Sequence, residues 1–121
     1  MGAILHTLNP RYFPDQLIYI LNHAEDTVLI IDSTFIPLVE SVQDKLDTVE
    51  TIIITSSQDA IPENNLNNVF SYEELIKDET DEYDWPELNE NDAASLCYTS
   101  GPTGNPKGVL YSHRSTILHA V

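Results

Sequence analysis

The sequence is poor in basic residues, and this scarcity excludes one large class of function. Only 5 of the 121 residues are Lys or Arg, against 20 Asp or Glu, which gives a formal net charge of −15 at pH 7. Nucleic acids are bound by clustered Lys and Arg side chains that neutralise the phosphates. Because repulsion would dominate here, we expect no nucleic-acid partner.

Cysteine and long apolar segments are also scarce. Cys97 is the single cysteine, so no internal disulfide can form, and its apolar neighbours predict a buried strand residue rather than a nucleophile. No apolar run approaches the ~20 residues that span a bilayer, and the N-terminus lacks the basic and apolar parts of a signal peptide. We therefore expect a cytoplasmic protein without a transmembrane segment.

Half of the acidic residues lie between residues 73 and 92. The aspartates of this segment lack the alternating ligands and the central glycine of a calcium-binding loop. We interpret residues 73–92 as a solvated acidic connector, in which Trp85-Pro86 forms a turn or a packing anchor. His113 and His119 do not share a helix face as the i, i+4 pair of a zinc site does, so we expect no metal site.

Apolar periodicity predicts alternating strands and helices. The first predicted helix opens at Pro14-Asp15 and has one apolar face, formed by Leu17, Ile20, Leu21 and Ala24. A strand over 28–31 follows, and then a second helix that is capped by Asp32 and Ser33, has Pro37 in its first turn and has these residues facing inward: Leu38, Val39, Val42 and Leu46. The remaining predicted elements are a strand over 52–54, a short helix with a capping box over 71–74, and a helix-like segment over 115–121. This order favours an α/β fold with a partial parallel sheet and flanking helices, in which ligands bind at the carboxyl ends of the strands.

A polar loop at residues 98–108 carries the candidate chemistry. It reads Tyr-Thr-Ser-Gly-Pro-Thr-Gly-Asn-Pro-Lys-Gly and lies between two apolar runs, 93–98 and 109–111, which predicts a strand, loop, strand setting. Glycines let backbone N–H groups approach an anion closely, hydroxyls add neutral donors, and a lysine adds a charge for β- and γ-phosphate oxygens. The candidate phosphate-binding residues are Thr99, Ser100, Gly101, Pro102, Thr103, Gly104 and Lys107.

The spacing of this loop excludes the commoner phosphate loops. Lys107 follows Pro106 and precedes Gly108, whereas a Walker A motif needs Gly-Lys-Ser/Thr, and no G-x-G-x-x-G is present. The loop instead resembles the signature of the adenylate-forming superfamily, Tyr-Thr-Ser-Gly-Thr/Ser-Thr-Gly-x-Pro-Lys-Gly, which includes acyl-CoA synthetases, luciferases and nonribosomal adenylation domains. Three further segments are similar, in the same order, to bacterial medium- and long-chain fatty acyl-CoA synthetases, namely 2–11, 19–26 and 111–115.

The resemblance implies an ATP-dependent, AMP-forming fatty acyl-CoA ligase. Its parent enzyme would use ATP, Mg²⁺ and CoA, with small molecules (fatty acid, ATP and CoA) as partners, and a homodimer or a peripheral membrane contact of the parent stays open. Because family members are several times longer, residues 1–121 correspond to an internal piece of the large N-terminal domain. We expect the 121-residue chain alone to bind none of these ligands tightly, to hold no complete catalytic set and to be inactive.

The loop differs from the family signature at Pro102, where the family has Ser or Thr. Proline removes both the hydroxyl and the backbone N–H and fixes φ. His113 matches a histidine that recurs after the loop in the family, and we assign it a structural role at the start of a helix. Two alternatives stay open, namely another adenylate-forming enzyme (an aryl-CoA ligase or an amino-acid adenylation domain) and a noncatalytic acidic binding module derived from that fold.

Overall fold

Two three-stranded sheets organise the chain, one in each of two units. The computed structural model describes residues 1–121. We call Pro10–Asp81 the core unit, and Met1–Asn9 together with Glu82–Val121 the loop unit. In chain order the strands and helices are β1 (Leu5–Thr7), α1 (Pro14–His23), β2 (Val28–Ile31), α2 (Ile36–Val42), β3 (Thr51–Ile54), β4 (Val69–Ser71), α3 (Tyr72–Ile76), β5 (Ala93–Thr99), β6 (Lys107–Ser112) and α4 (His113–Ala120).

The core unit contains the parallel sheet that the sequence predicts. Strands β2, β3 and β4 pair in parallel, so that Ile31 lies beside Ile54 and Ile54 beside Ser71. Branched side chains favour extended backbone, and parallel strands need apolar cover. On one face of the sheet α2 provides this apolar cover, through a cluster of buried side chains: Ile31, Ile36, Val39, Ile52, Ile54 and Leu66. The predicted α/β class with a parallel sheet and flanking helices is confirmed.

The helices of the core unit agree with the periodicity except near α2. Leu17, Ile20 and Leu21 of α1 are buried, as predicted. The Asp32 side chain caps a short 3-10 helix, Ser33–Phe35, that precedes α2. α2 then ends at Val42, so the prediction that Leu46 lies on its inner face is wrong. A second 3-10 turn, Gln43–Lys45, separates Leu46 from the helix.

Ser71 caps α3 as the capping box predicts. Its Oγ accepts a hydrogen bond from the Glu74 N–H at 3.4 Å and donates one to the Ser56 carbonyl at 2.6 Å. The second half of the box does not form, because the Glu74 carboxylate pairs with Lys77 instead. Ser71 is the one buried polar residue of the chain.

The loop unit departs from a purely parallel arrangement. β1 pairs in parallel with β5, but β5 and β6 form an antiparallel hairpin. α4 begins at His113, where the Ser112 hydroxyl caps the helix by accepting from the Ser115 N–H at 3.1 Å. The helix-start position of His113 is confirmed. Cys97 lies in β5 but is only half-buried, so the prediction of a buried cysteine is wrong.

The acidic segment 73–92 has little regular structure after α3. Every residue from 72 to 92 is exposed. Trp85 is 78% exposed and contacts the Tyr83 ring edge-on, with centroids 4.9 Å apart. Residues 82–89 form no turn, so the prediction of a turn or a packing anchor at Trp85-Pro86 is wrong. None of the helices in the chain has the length and apolar character needed to cross a membrane.

Candidate phosphate-binding loop

The candidate site is the connection of the β5–β6 hairpin. Thr99, the last residue of β5, pairs with Lys107, the first residue of β6. The hairpin therefore brings the first and last candidate residues together as a cross-strand pair. Ser100, Gly101, Pro102, Thr103 and Gly104 follow Thr99 in the loop between the strands. All seven candidate residues consequently lie in one short segment, at the carboxyl end of β5.

Two glycines of the loop differ in what they permit. Gly104 has φ +84°, and nothing lies within 4 Å of a Cβ placed there, so its backbone conformation alone favours glycine. Gly101 has no such φ, and a Cβ there would lie 3.9 Å from the Thr103 carbonyl oxygen. The chain itself would therefore accept a side chain at 101, and only a ligand close to the backbone would exclude one.

The donors of the loop are free for a ligand. All candidate residues are exposed, including the hydroxyl-bearing Thr99, Ser100 and Thr103. No hydrogen bond within the chain engages the groups of residues 100–105. Backbone N–H groups and hydroxyls without internal partners can turn to an anion with no competing bond to break. The loop has the composition of an anion-binding concavity.

Lys107 gives this loop its positive charge. Lys77 pairs with Glu74, and Arg114 pairs with Glu90 at 2.8 Å. Lys107 is exposed and forms no ion pair. An ammonium without an ion pair can offer its full charge to an anion.

Prolines at two positions shape the loop in different ways. Pro102 is exposed between Gly101 and Thr103, and it supplies no N–H donor to that part of the loop. Pro106 is the only buried residue of the loop, and sequence reasoning missed it. A proline restricts the residue before it to extended backbone, which was the available signal that Asn105-Pro106 guides the chain into β6.

The chain offers no metal centre beside the loop. No three His, Cys, Asp or Glu side chains lie close enough to hold an ion. The loop itself contains hydroxyls, glycines, prolines, an asparagine and a lysine but no carboxylate, histidine or cysteine. This composition suits binding and charge stabilisation rather than proton transfer.

Comparison with known proteins places the whole chain in one family. The family model described as AMP-binding enzyme matches residues 1–121. A 3-methylmercaptopropionyl-CoA ligase of Ruegeria pomeroyi is 53% identical over 119 residues, covering 98% of this chain and 22% of the relative. A medium-chain-fatty-acid–CoA ligase of Ectopseudomonas oleovorans is 46% identical over 120 residues, covering 99% of this chain and 22% of the relative.

A solved structure gives the same result for the fold. The crystal structure of an anthranilate CoA ligase in complex with anthranoyl-AMP matches with a TM-score of 0.85 and 30% identity, over 98% of this chain and 22% of that chain. The chain thus spans about a fifth of the length of the proteins it matches. With the family model covering every residue, the chain belongs to the AMP-binding enzyme family.

Proposed function

We propose that this chain supplies the ATP-phosphate loop of an AMP-forming acyl-CoA ligase. The observation that carries the proposal is the hairpin loop itself, in which Thr99 and Lys107 close a segment of exposed donors that form no internal hydrogen bonds. The relatives are CoA ligases by name, which supports this reaction class. The complete protein is proposed to act on a fatty acid, ATP and CoA in the cytoplasm.

The proposed reaction has two steps, and the loop contributes to the first. A substrate carboxylate attacks the α-phosphate of ATP to form an acyl-adenylate and release pyrophosphate, and the thiol of CoA then displaces AMP. The hydroxyls of Thr99, Ser100 and Thr103, the backbone N–H groups near Gly101 and Gly104, and the Lys107 ammonium hold the β- and γ-phosphates. Their electrostatic stabilisation grows as negative charge builds on the departing pyrophosphate.

The donor set of the loop fits a triphosphate but not a metal ion. Neutral hydroxyls and one ammonium match phosphate oxygens. Mg²⁺ prefers carboxylate and other oxygen ligands, and no group of acidic side chains in this chain could hold it. We therefore assign no step through Mg²⁺ to these residues.

Pro102 weakens phosphate binding in this proposal. A Thr at this position would add one hydroxyl and one backbone N–H to the exposed edge of the loop. A hydrogen bond to a charged group contributes about 1.5–3 kcal/mol, so the proline loses roughly tenfold or more in affinity or rate. The loop of this chain is consequently proposed to work below the strength that a hydroxyl-bearing residue at 102 would give.

The acyl substrate is proposed to be a fatty acid. The identity to the medium-chain-fatty-acid–CoA ligase supports this choice. The Ruegeria relative is named for a sulfur-containing short acid, and the solved neighbour for an aryl acid, which makes an aryl-CoA ligase the alternative. Profiling of acyl substrates with the complete protein separates the two.

A chimeric enzyme tests the phosphate-loop assignment directly. The matching segment of the Ruegeria pomeroyi ligase is replaced by this chain, and single-turnover acyl-adenylate formation is measured at varied ATP. Lys107→Ala should lower the rate on the order of 10²-fold, and Pro102→Thr should raise it. Lys45→Ala removes the same charge outside the loop and serves as the matched control, with an unchanged rate.

Each outcome of this experiment decides between the proposed roles. If Lys107→Ala leaves the rate and the ATP dependence unchanged, the phosphate-loop assignment is wrong. If the chimera is inactive and Pro102→Thr does not restore it while the host enzyme remains active, the noncatalytic binding module is favoured.

A further inference from the structure

The hairpin that carries the loop has a second cross-strand pair, outside the candidate phosphate-binding residues. Tyr98 precedes Thr99 in β5, Gly108 follows Lys107 in β6, and Tyr98 and Gly108 are direct cross-strand partners. The Tyr98–Gly108 pair therefore lies directly beside the Thr99–Lys107 pair that closes the loop. Whatever fixes the second pair also fixes the direction in which Thr99 and Lys107 enter the loop.

Gly108 is required by space rather than by backbone conformation. Its φ is not in the left-handed region, unlike that of Gly104. A Cβ at position 108 would lie 3.0 Å from Cζ of Tyr98, 3.1 Å from Cε2 and 3.3 Å from Oη. Optimal contacts between carbon atoms are about 3.5–4.0 Å. The Tyr98 ring therefore occupies the place that a side chain at 108 would need.

The Tyr98 ring has a second neighbour that limits its movement. The His6 ring, from β1, lies with its centroid 5.3 Å from that of Tyr98 at an interplanar angle of 36°. His6 is paired with Leu96 in the sheet, so it is a diagonal neighbour of Tyr98, within reach of an aromatic side chain. The ring is consequently held between the imidazole of β1 and the bare backbone of β6.

We propose that His6, Tyr98 and Gly108 are positioning residues that set the path of the loop between Thr99 and Lys107. This inference rests on the proposed phosphate binding. A side chain at 108 would push the ring by several tenths of an ångström. Because His6 blocks part of that movement, the strain passes to the backbone of Tyr98 and so to Thr99. Anion binding would weaken although no group that contacts the anion is changed.

The test uses the ¹⁵N-labelled 121-residue chain titrated with inorganic pyrophosphate and followed by NMR. We expect Gly108→Ala to move the amide resonances of Thr99 and Ser100, on the opposite strand and in the loop, and to weaken pyrophosphate binding by about tenfold, equivalent to ~1.4 kcal/mol. Leu110→Ala, an exposed change on the same strand, is the control and should do neither.

Removal of the Tyr98 ring tests whether the clash with this ring causes the loss of binding. Tyr98→Ala combined with Gly108→Ala should bind pyrophosphate within about twofold of Tyr98→Ala alone, because the clash then has no partner. The urea midpoint of each variant reports folding separately. If Gly108→Ala alone fails to fold, the double variant still decides the matter, since it folds only if the ring is the cause.

Two results would overturn the inference. One is a Gly108→Ala chain with unchanged Thr99 and Ser100 resonances, and the other is an additive loss of affinity in the double variant. If pyrophosphate moves no resonance in the unsubstituted chain, the chimeric enzyme alone decides the proposed phosphate binding, and the positions of the Thr99 and Ser100 resonances decide whether the ring positions the loop.

Discussion

The two units of this chain hold their sheets in contrasting ways. The core unit contains every side chain of the hydrophobic core, of which Leu17 is the first and Leu66 the last along the chain, and one face of its β2–β3–β4 sheet is covered. In the loop unit only Pro106 is buried, and β6 exposes most of its length. Stability is therefore concentrated in one unit and the candidate chemistry in the other.

The largest expected effect comes from opening a cavity in the core unit. Ile54 is 0% exposed, and Ile54→Ala should lower the free energy of unfolding of that unit by about 2–5 kcal/mol. Leu110→Ala, at 58% exposure in the loop unit, should change stability by no more than about 0.5 kcal/mol. Urea titration followed by two-dimensional NMR reports each unit separately.

A graded variant protects this comparison against complete unfolding. Ile54→Val removes one methylene and should cost about 0.5–1.5 kcal/mol. Equal effects of Ile54→Ala and Leu110→Ala would contradict the contrast between the two units.

The features that the sequence could predict also differ between the core unit and the loop unit. Local periodicity predicted α1, β2 and β3, because a buried face repeats every 3.6 or 2 residues whatever lies opposite. The loop was predicted from its residue types. The antiparallel pairing of β6 and the contact of Tyr98 with Gly108 were not predicted, because they depend on residues from both strands of the hairpin. The end of α2 before Leu46 was missed because a 3-10 turn replaces the last helical turn.

A smaller effect is expected from the buried hydroxyl of the core unit. Ser71→Ala removes the bond to the Ser56 carbonyl and the cap on the Glu74 N–H, and we expect a loss of about 1–2 kcal/mol. Ser57 is the matched control, since it stands at the N-cap of a 3-10 helix with no side-chain bond. Ser57→Ala should leave the urea midpoint of the core unit unchanged, and an equal loss in both variants would refute the role of the Ser71 hydroxyl.

The loop unit should show a conformational effect at one glycine only. Gly104→Ala places a side chain at φ +84° and should cost about 1 kcal/mol. Gly101→Ala meets no atom nearer than 3.9 Å and should be close to neutral for folding. Amide hydrogen exchange of the β5–β6 hairpin measures both, and a larger loss for Gly101→Ala would show that the loop adopts a different backbone path.

The smallest effect is a pH dependence confined to the core unit. The Thr34 N–H at 2.9 Å and its hydroxyl at 2.8 Å donate to the Asp32 carboxylate, and these bonds, the backbone one first, lower the pKa of Asp32 from its ordinary 3.8. Because the folded pKa is below the unfolded one, the stabilisation is fully present above the unfolded value and is lost as the pH falls through the folded value.

The prediction for Asp32 is therefore a difference that disappears in acid. Asp32→Ala should destabilise the core unit slightly at neutral pH, and the gap between it and the unsubstituted chain should narrow only below about pH 4. Thr34→Val keeps the backbone donor and loses the hydroxyl, so it should show a smaller gap with the same pH trend. Thermal unfolding of the three chains at a series of pH values measures this. A difference in stability that stays constant into acid would mean that Asp32 acts through its shape rather than its charge. The β5–β6 hairpin has no carboxylate in its loop and serves as the internal control, since its stability should not differ between the three chains at any pH.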